Sequence, residues 1–366
     1  MKIKLVIVAG ARPNFMKISP IISEICENRQ NKIEYRLVHT GQHYDSNMSK
    51  SFFNQLKIPN PDINLNCGGG SHAEQTAEIL VKFDSYILEY MPDLIIVVGD
   101  VNSTMACSIV AKKRNIKLAH VEAGLRSYDN KMPEEINRII TDSISDYFFT
   151  TSKLASQNLI EKGISENNIF FVGNTMIDTL KSNLKYLYPP KLWDDYKLEI
   201  KKYIVITLHR PSNVDNLENL KNIVSELILH SKDVKLIFSV HPRTKKNLDK
   251  LSFNKSKLIL TDPISYLEFN YLVKNSLGIF TDSGGITEET TFLNVPCITF
   301  RNSTERPETV NCGTNELIGA DYKQIQNSLE KLINGNWKKG EIPEKWDGLT
   351  SKRIVNTICK LFSEKL

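Results

Sequence analysis

The chain repeats one local pattern: a short run of apolar, mostly β-branched residues, then a polar turn, then a stretch of helical period. In the first half these runs are KLVIVA, YRLVHT, DLIIVVG, KLAHVE and YFFTT. They are apolar without alternation, as strands of a parallel sheet covered on both faces must be. Helical periodicity fills the gaps, for example over 71–90 and 104–114. Strand–helix–strand repetition predicts a doubly wound sheet. The rhythm stalls over 185–202, KYLYPPKLWDDYKLEIKK, where Pro189–Pro190 and charges predict a linker or peripheral turn. It restarts with YIVITLH, VKLIFSVH, KLILTD, LGIFTD and CITF. The expected fold is therefore α/β, with two Rossmann-like doubly wound domains over residues 1–180 and 190–350. A final helical segment covers 351–366. Ligands of open α/β sheets bind beyond the carboxyl ends of the strands, so both domains are expected to face a central cleft.

Composition narrows the function. A chain of 366 residues suits two domains, and 41% apolar against 24% charged residues is a globular balance. The net charge of +5 comes from 47 basic and 42 acidic residues without a dense Lys/Arg block, which argues against a nucleic-acid partner. No apolar run approaches the ~20 residues of a bilayer span. The N-terminal apolar stretch is too short for a signal core, so no membrane partner and a cytoplasmic location are expected. Cys26, Cys67, Cys107, Cys297, Cys312 and Cys359 form no CxxC pair and read as reduced thiols, with no metal site.

Neither GxGxxG, GxxxxGK[ST] nor HExxH occurs, so a cleft in this fold is not the usual site for NAD, an NTP or zinc. LGIFTDSGGITEE instead takes a strand through Ser283, Gly284 and Gly285 straight into a helix. Such a turn lets a phosphate approach the free amides at the helix N-terminus. An ordinary turn with Ser283 as N-cap is the competing reading. Glu289, just over a turn into the helix, suits ribose hydroxyls, and Arg306 in TERPET adds a phosphate-directed cation. GARPNFMK places Arg12 and Lys17 where the first strand meets its helix, which suits a diphosphate.

Three carboxylates fall at corresponding places. Asp100 ends VVGD, Glu122 follows the buried strand of AHVEAG, and MPEEINR opens a helix with Glu134 and Arg138 four apart on one face. Loop capping and a helix ion pair explain them individually. Together at one cleft, opposite a diphosphate site, they point to acid–base chemistry. His209 and Arg210 follow the strand of VITLHRP, His241 ends another in SVHPR, and DPISYLEF offers Ile264 and Phe269 as a pocket for a base.

GARPNFMKISP, TGQHYDSNMS, GDVNST, HVEAGLRS, MPEEINR, VGNTMIDTL, LHRPSNVD, HPRTKK, TDSGGITEE and TERPETV together resemble the non-hydrolysing UDP-N-acetylglucosamine 2-epimerases, in the family's order and over nearly the whole chain. The resemblance implies a glycosyltransferase-B type fold, a final helix crossing back to the first domain, and a homodimer. It implies a UDP-N-acetylhexosamine substrate, epimerised at carbon 2 by loss and return of UDP, with no cofactor or metal. By the same resemblance Asp100, Glu122 and Glu134 are the acid/base carboxylates and His209 a catalytic-site histidine. Arg12 and Lys17 hold the substrate, and Arg138 supports Glu134. Ser283, Gly284 and Gly285 form the phosphate loop, Glu289 binds ribose, Arg306 contacts UDP, and Ile264 and Phe269 flank uracil. Gln42, His43, Arg210 and His241 match an effector site for UDP-N-acetylglucosamine. There the loop Cys67–Ser71 carries three glycines where regulated members have Arg and Gln, which predicts weakened effector binding. A 2-epimerase of UDP-2,3-diacetamido-2,3-dideoxyglucuronic acid, a hydrolysing epimerase, a glycosyltransferase on the same scaffold and a non-catalytic UDP-sugar sensor remain as alternatives.

Overall fold

The computed structural model describes residues 2–41, 53, 55, 56, 58–253, 257–319 and 321–365. The chain divides into two compact units, Met1–Ser182 with Glu344–Leu366, and Asn183–Pro343. The second unit thus starts and ends a few residues earlier than 190 and 350.

The first unit is built on strands β1 (Ile3–Ala9), β2 (Ile33–His39), β3 (Ile63–Asn64), β4 (Leu94–Val98), β5 (Lys117–Ala123), β6 (Tyr147–Thr150) and β7 (Ile169–Phe171). They run parallel in the order β3-β2-β1-β4-β5-β6-β7. The second holds β8 (Tyr203–Thr207), β9 (Lys235–Ser239), β10 (Leu258–Thr261), β11 (Gly278–Thr281), β12 (Cys297–Thr299) and β13 (Asn315–Leu317), in the order β10-β9-β8-β11-β12-β13. Each order reverses direction once, between β1 and β4 and between β8 and β11. Those reversals are where a doubly wound sheet leaves a crevice at its carboxyl edge. The runs read as strands are all present. β3, β7 and β13 were not legible because two or three residues at a sheet edge carry no period.

The stretch 185–202 is not a free linker. Leu192 and Leu198 are buried with Tyr203, Val205 and Ile279, and the Trp193 ring meets Tyr203 and Tyr271 edge-on at 5.8 and 5.2 Å. A helix too short to show a period covers one face of the second sheet.

The C-terminal segment joins the first unit through polar bonds. Asp178 caps the helix Thr350–Leu361, accepting from the Thr350 and Ser351 amides at 3.1 and 2.7 Å and from the Ser351 hydroxyl at 2.8 Å. Trp346, fully buried, donates its Nε1–H to the Thr151 carbonyl at 3.2 Å. Among the described residues no helix is long and apolar enough to cross a membrane.

Candidate active site

At the first reversal, the turn from β1 into the helix Arg12–Asn28 is tied down by Asn14. Its Oδ1 accepts from the Gly10 and Ala11 amides at 3.1 and 2.9 Å, and its Nδ2 donates to the Val98 carbonyl of β4 at 3.1 Å. Sequence reading passed over this residue. One helical turn further, Lys17 forms an ion pair with Glu122, and both are buried. The two lie against Gly99, whose φ is +70°. A Cβ there would sit 3.2 Å from Lys17 Nζ, 3.3 Å from Asn14 Nδ2 and 3.5 Å from Glu122 Oε2. The positive φ favours glycine, and a side chain there would also crowd the Lys17–Glu122 pair.

Glu122 is held in an unusual backbone state. The β5–β6 register runs from Val121 opposite Phe149 to Ala123 opposite Thr150, leaving Glu122 as the extra residue of a bulge, with φ +69°. Bulges re-aim a side chain at the end of a strand, and a non-glycine residue pays for that conformation in strain. Here the re-aimed group is the carboxylate that meets Lys17.

Asp100 is partly exposed and paired with Arg138. Arg138 does not turn to Glu134, as the four-residue spacing suggested. Its Nε and Nη2 donate to Glu135 Oε2 at 3.0 and 2.6 Å. Glu135, fully buried, also accepts from the Ser127 and Tyr128 amides at 2.9 and 3.1 Å, while Glu134 is exposed. Arg138 therefore supports Asp100 directly. Burial would raise the Glu135 carboxyl, but Ser127 and Arg138 outweigh it and hold it below its usual range. Arg12 is half-buried at the same turn.

In the second unit the reversal is organised by Asp282, another residue missed, although it ends an apolar strand as Asp100 does. It is fully buried. Its carboxylate accepts from the amides of His209 and Arg210 at 3.0 and 2.9 Å and from Asn213 Nδ2 at 3.1 Å. Its Oδ1 is 2.8 Å from His209 Nδ1, and the ring is 43% exposed. Asp282 thus holds one imidazole nitrogen, with the ring's accessible remainder outside the core. His241 lies beside it, ring centroids 5.9 Å apart. Gln42 and His43 lie outside the described residues.

Ser283 stands at the N-cap of the helix Gly284–Leu293, yet its side chain makes no capping bond. The capping explanation for the residue fails, and first-turn amides are left for an anion. Beneath the turn is a buried ion network: Arg306 pairs with Glu288 and, at 2.7 Å, with Glu305, which also holds Arg301 at 2.7 Å. A Cβ on Gly284 would come 2.8 Å from Glu305 Oε1. Arg306 thus has carboxylate partners that the sequence did not suggest. Gly285 follows within the helix. Glu289 is buried and accepts from the Tyr266 hydroxyl at 2.7 Å. Ile264 and Phe269 are partly buried against the apolar cluster around Val205 and Ile279.

The carboxyls of this unit give a pH signature. Burial pushes Glu289 up to about 7, with Tyr266 opposing and Glu288 reinforcing the shift. Burial likewise pushes Glu308 up to about 7. Both bind their protons more tightly folded than unfolded, so stability falls as pH rises through the window from the ordinary carboxylate value to about 7. Asp282 behaves oppositely. Burial opposes its charge, but His209, Arg210 and Asn213 bring it below 3.8, so its contribution is complete above that value and lost in more acid solution. The melting temperature is expected to decline between about pH 5 and pH 7.5, and Glu289→Gln and Glu308→Gln to flatten the decline. Melting curves whose wild-type-minus-variant difference is constant over that range contradict the assignment.

The chain matches the UDP-N-acetylglucosamine 2-epimerase family over residues 26–359. It belongs to that family. It is 46% identical to the UDP-N-acetylglucosamine 2-epimerase of Methanocaldococcus jannaschii, over 97% of this chain and 98% of that enzyme. The crystal structure of the Methanocaldococcus jannaschii enzyme with UDP-GlcNAc and UDP superposes with a TM-score of 0.87 at 44% identity, covering 98% of this chain and all of that one. A UDP-2,3-diacetamido-2,3-dideoxy-D-glucuronate 2-epimerase from Pseudomonas aeruginosa is 37% identical over 98% of this chain and 100% of its own. Set in this family, the strand-end carboxylates and the uncapped glycine turn belong to a member whose cation partners at Asp100 and Glu122 are already defined.

Proposed function

We propose that this chain is a non-hydrolysing UDP-N-acetylglucosamine 2-epimerase, interconverting UDP-N-acetylglucosamine and UDP-N-acetylmannosamine. The observation that carries the reading is the pair of carboxylates at the first sheet reversal, Asp100 on Arg138 and Glu122 on Lys17, in a chain of this family.

The proton on carbon 2 is not next to a carbonyl, so direct removal is prohibitive. As the bond from carbon 1 to the diphosphate oxygen breaks, its electron pair leaves with UDP and carbon 1 gains oxocarbenium character. The carbon 2 proton becomes acidic and passes to one carboxylate. The products of this half-reaction are 2-acetamidoglucal and UDP. In the return, an acid delivers a proton to the opposite face of carbon 2 while UDP rebonds to carbon 1. Asp100 and Glu122 take the acid and base roles, with Glu134 as the third carboxylate. Arg12 and Lys17 hold the substrate. Ser283, Gly284 and Gly285 receive the diphosphate at the helix N-terminus, whose amides stabilise the charge that develops there. Arg306 acts through the network under that turn, Glu289 accepts from ribose, and Ile264 and Phe269 flank the base. His209, oriented by Asp282, serves the departing phosphate. The same reading carries a cytoplasmic homodimer supplying UDP-N-acetylmannosamine for surface polysaccharide.

Incubating purified protein with UDP-N-acetylglucosamine alone in deuterated water, with EDTA and without NAD, tests it. Proton NMR is expected to show both epimers labelled at carbon 2. Epimerisation without label refutes elimination. Turnover only of the 2,3-diacetamido glucuronate analogue moves the chain to the Pseudomonas-like activity.

A further inference from the structure

Asp142 lies inside the helix Pro133–Ile144 and is 3% exposed. Buried charge there is costly unless every oxygen is met. Its Oδ1 is 2.7 Å from His120 Nδ1, and its Oδ2 accepts from Arg126 Nη1 at 2.6 Å and from the Gly124 amide at 3.1 Å. Burial alone would raise this carboxyl, but His120 and Arg126 outweigh it and hold it below its usual range. His120, with no exposure, places Nε2 2.9 Å from the Gly99 carbonyl. Both ring nitrogens face oxygen atoms, an arrangement met by a ring that donates from both.

These bonds end on two particular peptide groups. The Gly99 carbonyl belongs to the peptide that joins Gly99 to Asp100. Gly124 lies two residues beyond Glu122, with φ +79°, and a Cβ there would fall 2.1 Å from the Ala155 carbonyl oxygen. One carboxylate therefore fixes the backbone on the approach to Asp100 and the backbone leaving the Glu122 bulge. We propose that Asp142 is a positioning residue for the epimerisation, holding Asp100 and Glu122 in one arrangement through His120 and Gly124. The inference rests on the acid/base roles assigned above. Arg126 is its second support. Among the described residues its Nε and Nη2 have no hydrogen-bond partner, and its side chain lines a cavity of about 690 Å³ with Tyr128, Ile139, Asn158 and Leu159.

Asp142→Asn preserves shape and removes the charge. It is expected to lower kcat by roughly 100-fold, the scale of a misplaced catalytic group, with KM and UDP affinity unchanged. Arg126→Ala opens the cavity toward Asp142. Its kcat is expected to fall roughly 10-fold and to recover on adding guanidinium ion, but not sodium at equal ionic strength. Nitrogen-15 labelling of the seven histidines supplies a readout independent of turnover: the wild type is expected to show one ring protonated at both nitrogens, absent in Asp142→Asn. Wild-type enzyme without epimerase activity defeats the functional reading alone, and the ring signal still decides the positioning. Full kcat in Asp142→Asn, loss only in proportion to unfolded protein, or an unchanged ring signal overturns the proposal.

Discussion

Replacing Asp100 by Asn is expected to cut turnover by about 100-fold or more, the scale for losing a general acid or base, with little effect on melting temperature. The side chain is 26% exposed, and its partner Arg138 keeps Glu135 when the charge is gone. Glu122→Gln should cut turnover by a similar factor but behave differently in a melting experiment. Its carboxylate is 2% exposed, and Lys17, which pairs with it, is 9% exposed. Removing one partner of a buried pair strands the other charge, a loss of roughly 3 kcal/mol or more. Strand-end residues contribute little to stability only when they are exposed, and Glu122 is not. Exposed Glu134→Gln should leave stability intact and lower turnover by about 100-fold if it transfers a proton. Kinetics and melting curves on the same three proteins decide the matter. Near-normal turnover in all of them means the chemistry lies elsewhere, and equal stability of Asp100→Asn and Glu122→Gln means the Lys17 pair is solvated.

What was legible in the sequence follows from physics that acts over short separations. Long unbroken apolar runs are visible because burial on both faces leaves no alternation, so the strands bounding both sheet reversals could be read. A residue directly after such a run, Asp100 or Glu122, could be named as a strand-end group. The partner of Arg138 could not. Helical spacing allows both i+3 and i+4 pairs, and the choice of Glu135 over Glu134 depends on the loop carrying Ser127, whose amide needs an acceptor. The Glu122 bulge was equally hidden, because it is a property of the β5–β6 register and not of any local pattern. His120 lies within the strand run KLAHVE, and no local pattern marks Asp142. Their bond joins positions 22 residues apart.

Asp282→Asn is expected to be as damaging as loss of the carboxylates, for a different reason. The Asp282 carboxylate accepts from two backbone amides and from Asn213, and it faces His209 Nδ1 at 2.8 Å. An ionised carboxylate requires Nδ1 to be the protonated nitrogen toward it, which fixes both the tautomer and the ring plane. An Asn in its place can keep one oxygen on the amides only by turning its NH2 toward the ring. Nδ1 must then accept, and the proton moves to the other nitrogen. In hydrolases an equivalent change costs up to about 10⁴-fold through the wrong tautomer. Here a loss of at least about 100-fold in kcat is expected. A purely structural effect is separated by a double-mutant comparison. If Asp282 acts through the ring, His209→Gln and the double variant should be about equally slow, because residues that work as a unit do not contribute independently. Losses that multiply would show that Asp282 supports the Arg210 turn and leaves the tautomer of His209 to other groups.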